Sequence, residues 1–415
     1  MSLISPPIAL VISFSVLIVL LYKRVNLGIT LNATAFLLGF LALDWWQIPE
    51  LVYKTSTEPL TISIVVATFL IMWLSQLYKE TGLIKQLSES LSKIVKNPKI
   101  IISVLPAVIG FLPVAGGALM SAPLVDSEAE KLDMKPEKKA YTNLWFRHTI
   151  FPVYPLSQVL ILTAALTNTT VSSIIIRQIP AVIVMVIVGY IIGFRKVSRI
   201  GRVDNPKEDS MMGSNIKNFI TSFSPILVAI VVAVGLDLMG FELSRLGFGV
   251  LIATVVGMIV IVAVSKMSRK VFFNPLKDWG IYGVTLAAYG AFLLGNFMKA
   301  TGISAIFESL ASNGSIDITI LLILVPAILG VLTASAFGGV SISVPILGGI
   351  VPLLTTRMAS LIYMSAYLGY VISPTHLCFA FTADYFKCTL TKIYKYLAPS
   401  FAITFATVLL IYFLA

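Results

Sequence analysis

Leu112-Pro113-Val114-Ala115-Gly116-Gly117-Ala118 interrupts an apolar run, residues 100–125, that is otherwise long enough to cross a bilayer. Lys93, Lys96 and Lys99 precede the run, and Lys131, Lys135, Lys138 and Lys139 follow it. A crossing would place these two groups on opposite faces of the membrane, whereas short basic loops collect on the cytoplasmic face. Both flanks therefore belong to one side, and the run is expected to enter the membrane and turn back at its Pro/Gly tip. A second apolar stretch, residues 316–354, is interrupted in the same way by Thr333-Ala334-Ser335-Ala336-Phe337-Gly338-Gly339.

Outward from these hairpins, ten segments approach the roughly 20 apolar residues of a spanning helix. They are residues 5–22, 28–46, 61–78, 140–165, 174–194, 219–240, 247–264, 281–298, 358–386 and 396–414. With ten crossings and two hairpins, 24 of the 30 Lys and Arg residues face the cytoplasm. Lys54, Arg177, Arg245, Lys299 and Arg357 face outside, and Arg147 alone falls inside a span. The even number of crossings puts both termini outside. The net charge of +11 is thus a matter of topology rather than of nucleic-acid affinity. An apolar content of 58%, with 12% charged residues and a mean hydropathy of +0.95, fits no soluble globule. Cys378 and Cys388 supply no disulfide framework, and His148 and His376 are taken to lack a cysteine partner, which argues against a zinc site. The first apolar run follows no basic segment and has no clear cleavage site, so it is expected to stay as a span.

The two halves of the chain answer each other at a spacing near 220 residues. Lys79-Glu80-Thr81-Gly82-Leu83 pairs with Lys299-Ala300-Thr301-Gly302-Ile303, and Leu105-Pro106-Ala107-Val108-Ile109-Gly110 with Val325-Pro326-Ala327-Ile328-Leu329-Gly330. Gly116-Gly117, Ser121 and Pro123 match Gly338-Gly339, Ser343 and Pro345, while Pro155 and Thr163-Ala164 match Pro374 and Thr382-Ala383. Residues 1–194 then form one copy, 195–218 a cytoplasmic linker and 219–415 the second copy. Each copy holds five spans and one hairpin, and an odd number of crossings inserts the second copy upside down. The expected fold is an all-α polytopic protein of the cytoplasmic (inner) membrane, built from two inverted repeats with broken helices. That architecture belongs to secondary transporters, whose substrate lies near the midplane where the breaks meet.

Irregular backbone at membrane depth must be buried in protein or line a wet cavity. Four such breaks are expected: the two tips, residues 113–117 and 333–339, and the segments Val153-Tyr154-Pro155 and Ile372-Ser373-Pro374 inside spans. Proline suits the first turn of a helix, and Ser373 has the chemistry of an N-cap. Helix N-termini aimed at the midplane favour an anion. The candidate substrate site comprises Gly116, Gly117, Gly338 and Gly339 at the tips, with Pro155, Ser157, Ser373 and Thr375 at the broken spans. Arg147 and His148, about two turns before the first break, and His376, two residues after the second, complete it. Competing readings are an Arg147 that snorkels to headgroups, packing histidines and glycines that serve close helix contact. Ser121, Thr163, Ser335, Ser343 and Thr382 are candidate oxygen ligands for Na⁺, although Ser and Thr in such helices often bond their own backbone. Asp384, about 15 Å beyond Pro374 at helical rise, is expected near the cytoplasmic end as a cap or ion-pair partner. Trp45 and Trp46 look like interfacial anchors, and residues 82–95 and 302–312 like amphipathic surface helices.

The order of three spans, a surface helix, a hairpin, a broken span and a final span, repeated inverted, resembles the ion transporter superfamily, which includes divalent anion/sodium symporters. Leu112-Pro113-Val114-Ala115-Gly116-Gly117-Ala118 and Asn143-Leu144-Trp145-Phe146-Arg147-His148 are closer still to the ten-span domain of unknown function 401 membrane family. The resemblance implies a scaffold and a transport domain, with substrate and Na⁺ held between tips and broken spans. The Ser-Asn-Thr tips of the dicarboxylate symporters are replaced here by Val114-Ala115-Gly116 and Ser335-Ala336-Phe337.

The expected function is elevator-like, ion-coupled transport of a small organic anion, driven by Na⁺ or H⁺, without enzymatic chemistry or a cofactor. The expected partners are the anion and membrane lipid, with no nucleic acid and a homodimer as the one protein assembly. A cation/proton antiporter on the same scaffold is the first alternative, and the lack of a deep carboxylate counts against it. A lipid-carrier flippase is the second, and it predicts a lateral opening of lipid size.

Overall fold

The computed structural model describes residues 3–112, 117–197, 212–240, 247–302, 317–351 and 353–414. Within them the first half of the chain forms α1 (Pro6–Tyr22), α2 (Leu27–Ala42), α3 (Gln47–Thr57), α4 (Pro59–Glu80), α5 (Leu83–Ile94), α6 (Pro98–Gly110), α7 (Ala118–Glu130), α8 (Pro136–His148), α9 (Gln158–Leu166) and α10 (Val171–Phe194). The second half forms α11 (Met212–Leu238), α12 (Phe248–Ser265), α13 (Arg269–Phe273), α14 (Trp279–Ala300), α15 (Ile318–Thr333), α16 (Ala336–Gly348), α17 (Thr356–Ile372), α18 (Leu377–Tyr385) and α19 (Leu390–Leu414). No strand occurs among the described residues.

Seven candidate spans are long and apolar enough to cross a bilayer: α4, α8 with α9, α10, α11, α12, α14 and α19. The chain is therefore an all-helical, multi-pass membrane protein. α1 and α2, at 17 and 16 residues, are apolar but shorter, as are α6, α15 and α16. Each of the ten segments expected to span coincides with a helix or a pair of helices. Tip residues 113–116, most of the linker, Arg245 and residues 303–312 lie outside the described residues.

Helix lengths recur along the chain. α4 and α14 each have 22 residues, α7 and α16 each 13, and α9 and α18 each nine, α18 starting 219 residues after α9. α9 and α18 also end alike. Asn168 (φ 54°) and Lys387 (φ 51°) adopt the left-handed conformation, and the next residue donates back into the helix, Thr169 N to Ala164 O at 2.9 Å and Cys388 N to Ala383 O at 3.0 Å. That turn satisfies carbonyls that a helix C-terminus otherwise leaves free.

Packing sorts the long helices into two groups. α1 lies on α2, α2 on α14, α14 on α4, α4 on α12 and α12 on α11, which makes a row. Small and amide residues hold it together: Asn32 Nδ2 of α2 donates to Leu286 O of α14 at 3.0 Å, and Asn296 Nδ2 of α14 donates to Thr55 Oγ1 of α3 at 2.9 Å. α6 to α10 and α15 to α19 pack mainly among themselves beside this row. α5 is amphipathic as expected, burying Leu83, Ile84, Leu87 and Leu91 while Lys85 and Glu89 face outward. α3 is a second short helix of the same kind that the sequence reading did not anticipate.

Five contacts fix which ends of the helices lie together. Lys138, at the start of α8, donates to Arg195 O just past the end of α10 and sits over the Tyr396 ring near the start of α19 at 5.9 Å. Lys99, at the start of α6, lies over the Phe194 ring at 5.9 Å, and Asp126 of α7 pairs with Lys139 of α8 at 2.6 Å. Arg357, at the start of α17, lies over the Tyr412 ring near the end of α19 at 4.6 Å.

Candidate functional site

α8 carries the ionisable residues into the interior. Pro136 occupies its first turn, where a missing N–H costs nothing, and the helix ends at His148. The two turns of helix expected between His148 and the break do not form. Pro152 and Pro155 lie in the segment that follows, which holds only the 3₁₀ turn Phe151–Val153. Each proline lacks an N–H and, in a continuous helix, would press on the carbonyl four residues earlier, those of His148 and Phe151.

Those two carbonyls are not left bare. Tyr367 donates its hydroxyl to His148 O, and Tyr363 donates to Phe151 O at 3.1 Å. Tyr363, Tyr367 and Tyr370 recur at intervals of four and three, which puts them on one face of α17. The third hydroxyl, of Tyr370, meets His148 Nε2 at 3.2 Å. The other ring nitrogen of His148 lies 2.6 Å from Leu144 O. A carbonyl only accepts, so Nδ1 carries the proton and Nε2 the lone pair.

Arg147 is 1% exposed. Its guanidinium turns toward the first hairpin rather than to the basic end of α8. Nη2 donates to Leu112 O at 3.3 Å, and Nε and Nη1 have no hydrogen-bond partner among the described residues. Gly117 lies directly against it, and a Cβ there would overlap the guanidinium. Gly116 belongs to the tip residues outside the described set. One turn below the tip, α6 meets the same span backbone to backbone: a Cβ on Gly110 would lie 2.6 Å from Arg147 O.

The second broken span departs from its expected form. Ser373 does not open α18. It closes α17, donating its hydroxyl to Val331 O of α15 at 2.7 Å and meeting Thr375 Oγ1 at 3.1 Å. Pro374 and Thr375 fall in the turn, and α18 starts only after His376, so the Ser373 hydroxyl is directed to the hairpin instead of to a helix start. Pro155 likewise sits in its turn, and Ser157 precedes α9 without a side-chain capping bond. At the second tip Ala334 takes the left-handed conformation and Ser335 Oγ accepts from Gly338 N at 3.1 Å, so Ser335 caps α16. Gly338 and Gly339 form the first turn of that helix.

The proposed ion ligands divide by half. Ser121 donates to Asn143 Oδ1 at 2.6 Å, and Thr163 donates to the Val159 carbonyl of its own helix at 2.6 Å. Their counterparts Ser343 and Thr382 are fully buried with no partner for either hydroxyl among the described residues. Asp384 is exposed and lies 3.5 Å from Lys387, as expected of an ion pair near a helix end. Trp45 and Trp46 are exposed, as interfacial anchors should be.

His376 stands edge to face with His148, the ring centroids 4.9 Å apart, and neither of its nitrogens has a partner among the described residues. Cys378, which the sequence reading kept apart from the histidines, joins them. One donor atom from each of His148, His376 and Cys378 lies within 4.8 Å of the other two, and all three residues are buried. Of the residues gathered here, Arg147, His148 and His376 were expected from the sequence, and the three tyrosines and Cys378 were not. The tyrosine spacing was the available signal.

A cleft opens between the start of α10 and α4, α11 and α12, at the end of α10 opposite Lys138, and Pro155 of the first break lines it. Leu60, Ile64, Pro155, Thr169 and Asp237 are among the residues lining it. Asp237 also accepts from the Ser172 hydroxyl.

A family model described as protein of unknown function (DUF401) matches residues 7–415. No curated protein matches the chain.

Proposed function

Because the chain belongs to the DUF401 family of proteins of unknown function, we propose a role from its own geometry: secondary active transport of a small organic anion, with no covalent step and no cofactor. The carrying observation is Arg147, buried with two of its three nitrogens unpartnered among the described residues. A buried charge without a counter-ion costs several kcal/mol, and an anionic substrate offsets that cost. Arg is also the side chain that grips a planar carboxylate with two parallel bonds.

The transport plan is that of the ion transporter superfamily, two inverted repeats with re-entrant hairpins. Contacts at the helix ends support it. α6 starts beside the end of α10, and α7 ends beside the start of α8, so the hairpin leaves from and returns to one face. α8 starts beside the start of α19 and α17 beside its end, so the two broken spans enter from opposite faces. The basic end of α8 is the cytoplasmic one, which leaves both termini outside in the cytoplasmic membrane. The row from α1 to α11 is the scaffold, and the hairpins and broken spans form the moving unit of an elevator. Ser343 and Thr382 are the oxygen donors free to take a coupling Na⁺, with H⁺ as the other coupling ion.

Uptake of radiolabelled organic anions into proteoliposomes, with a Na⁺ gradient, an H⁺ gradient or neither, tests the proposal. Accumulation of an anion that Arg147→Ala abolishes is the expected result. No uptake of any anion under all three conditions would overturn it.

A further inference from the structure

His148, His376 and Cys378 are brought together by two separate pieces of chain: the end of α8, which carries His148, and the start of α18, which carries His376 and Cys378. We propose that they form a site for a single soft monovalent metal ion, Cu(I), held by two imidazole nitrogens and one thiolate. This stands on the side-chain geometry alone and is independent of the transport reading.

Backbone hydrogen bonding at Nδ1 leaves Nε2 as the His148 nitrogen with a lone pair for a metal, the same arrangement by which carbonyls orient metal-bound histidines. Its contact with the Tyr370 hydroxyl is 3.2 Å long, and the hydroxyl rotates freely enough to yield that lone pair. His376 is 2% exposed with both nitrogens unpartnered among the described residues, a costly arrangement for a buried polar ring unless something else binds it. Ligand distances of about 2.0–2.3 Å place donors some 3.5–4 Å apart around a metal. Donors already within 4.8 Å of one another need shifts of under about 1 Å to close on an ion.

Sulfur with imidazole selects Cu(I) or Zn(II) over hard cations. Structural zinc takes four protein ligands, and the cluster supplies three among the described residues. Charge separates the two further. Cu(I) with one thiolate is neutral, whereas Zn(II) would leave a net positive charge in a dry interior next to Arg147.

The test uses the full-length protein, purified in detergent and titrated anaerobically with Cu(I) against a chromogenic Cu(I) chelator. One equivalent should be retained per chain, and Cu X-ray absorption should show one sulfur and two nitrogen neighbours. Cys378→Ser and His376→Gln should each weaken retention by more than about 100-fold, beyond the 10–100-fold typical of losing an outer partner. Cys388→Ser, at the other cysteine, should leave it unchanged. The proposal is overturned if the wild type yields all its Cu(I) to the chelator, if Cys378→Ser retains it, or if Zn(II) binds as tightly. Should a variant fail to fold, the wild-type absorption spectrum decides by itself, since a sulfur-free copper environment also overturns the site.

Discussion

α8 with α9 and α17 with α18 occupy matching places 219 residues apart, yet Arg147 and His148 in the first answer Ala366 and Tyr367 in the second. The two spans share a backbone device. Each ends its first helix near a proline, resumes as a nine-residue helix and finishes in the same left-handed turn. They differ in what fills the break. Each brings an imidazole, but the first adds a buried cation, while the second adds tyrosines whose hydroxyls donate to the carbonyls that the first leaves free. The backbone of the break is thus alike in the two pairs of helices, while the buried charge lies in one of them.

The largest test of this contrast is Arg147→Ala, expected to reduce anion uptake by about 100-fold, the scale of removing one partner from a buried charged contact. Ala366→Gly at the matching position should leave uptake unchanged, and proteoliposome assays run side by side compare them. Next come Gly110→Ala and Gly330→Ala, which probe what the halves share. A Cβ at Gly110 would meet Arg147 O, and one at Gly330 would overlap Ala366 O, so α6 would be pushed from α8 and α15 from α17. Each should destabilise the protein by about 1–3 kcal/mol, seen as a lower midpoint of thermal unfolding in detergent. Tyr367→Phe removes the donor to His148 O and should cost about 1–2 kcal/mol, because the carbonyl stays buried and unpaired. Lys139→Ala should have the smallest effect, about 0.5 kcal/mol, since its pair with Asp126 is partly exposed. Thermal unfolding at low and high salt would detect that difference.

Much of the architecture was legible in the sequence because prolines, glycines and lysines act locally. The interrupted run at residues 100–125 became α6 and α7, which pack on each other, and Thr333 to Gly339 became a helix end, a left-handed residue and a capped start. Arg147 was legible because a charge within an apolar run is conspicuous. What stayed hidden depends on partners far along the chain. That α8 stops at His148 is clear only once Tyr367, 219 residues away, is seen to donate its hydroxyl to the His148 carbonyl. Ser373 looked like a helix start because serine before proline suits one, but the free Val331 carbonyl of a neighbouring hairpin claimed its hydroxyl. Cys378 has nothing in its local sequence to announce His148 as a neighbour.

α19 touches the entrances of both broken spans. Lys138 lies over Tyr396, Tyr141 bonds Ser400 at 2.6 Å, and Arg357 lies over Tyr412. The separation between the two entrances is thereby gauged by a count of residues along one helix, about 24 Å from Tyr396 to Tyr412 at 1.5 Å each. A single residue inserted between those rings would rotate Tyr412 by about 100° and lengthen the gauge by a step. The two entrances would then fall out of phase although no residue of the site itself had changed.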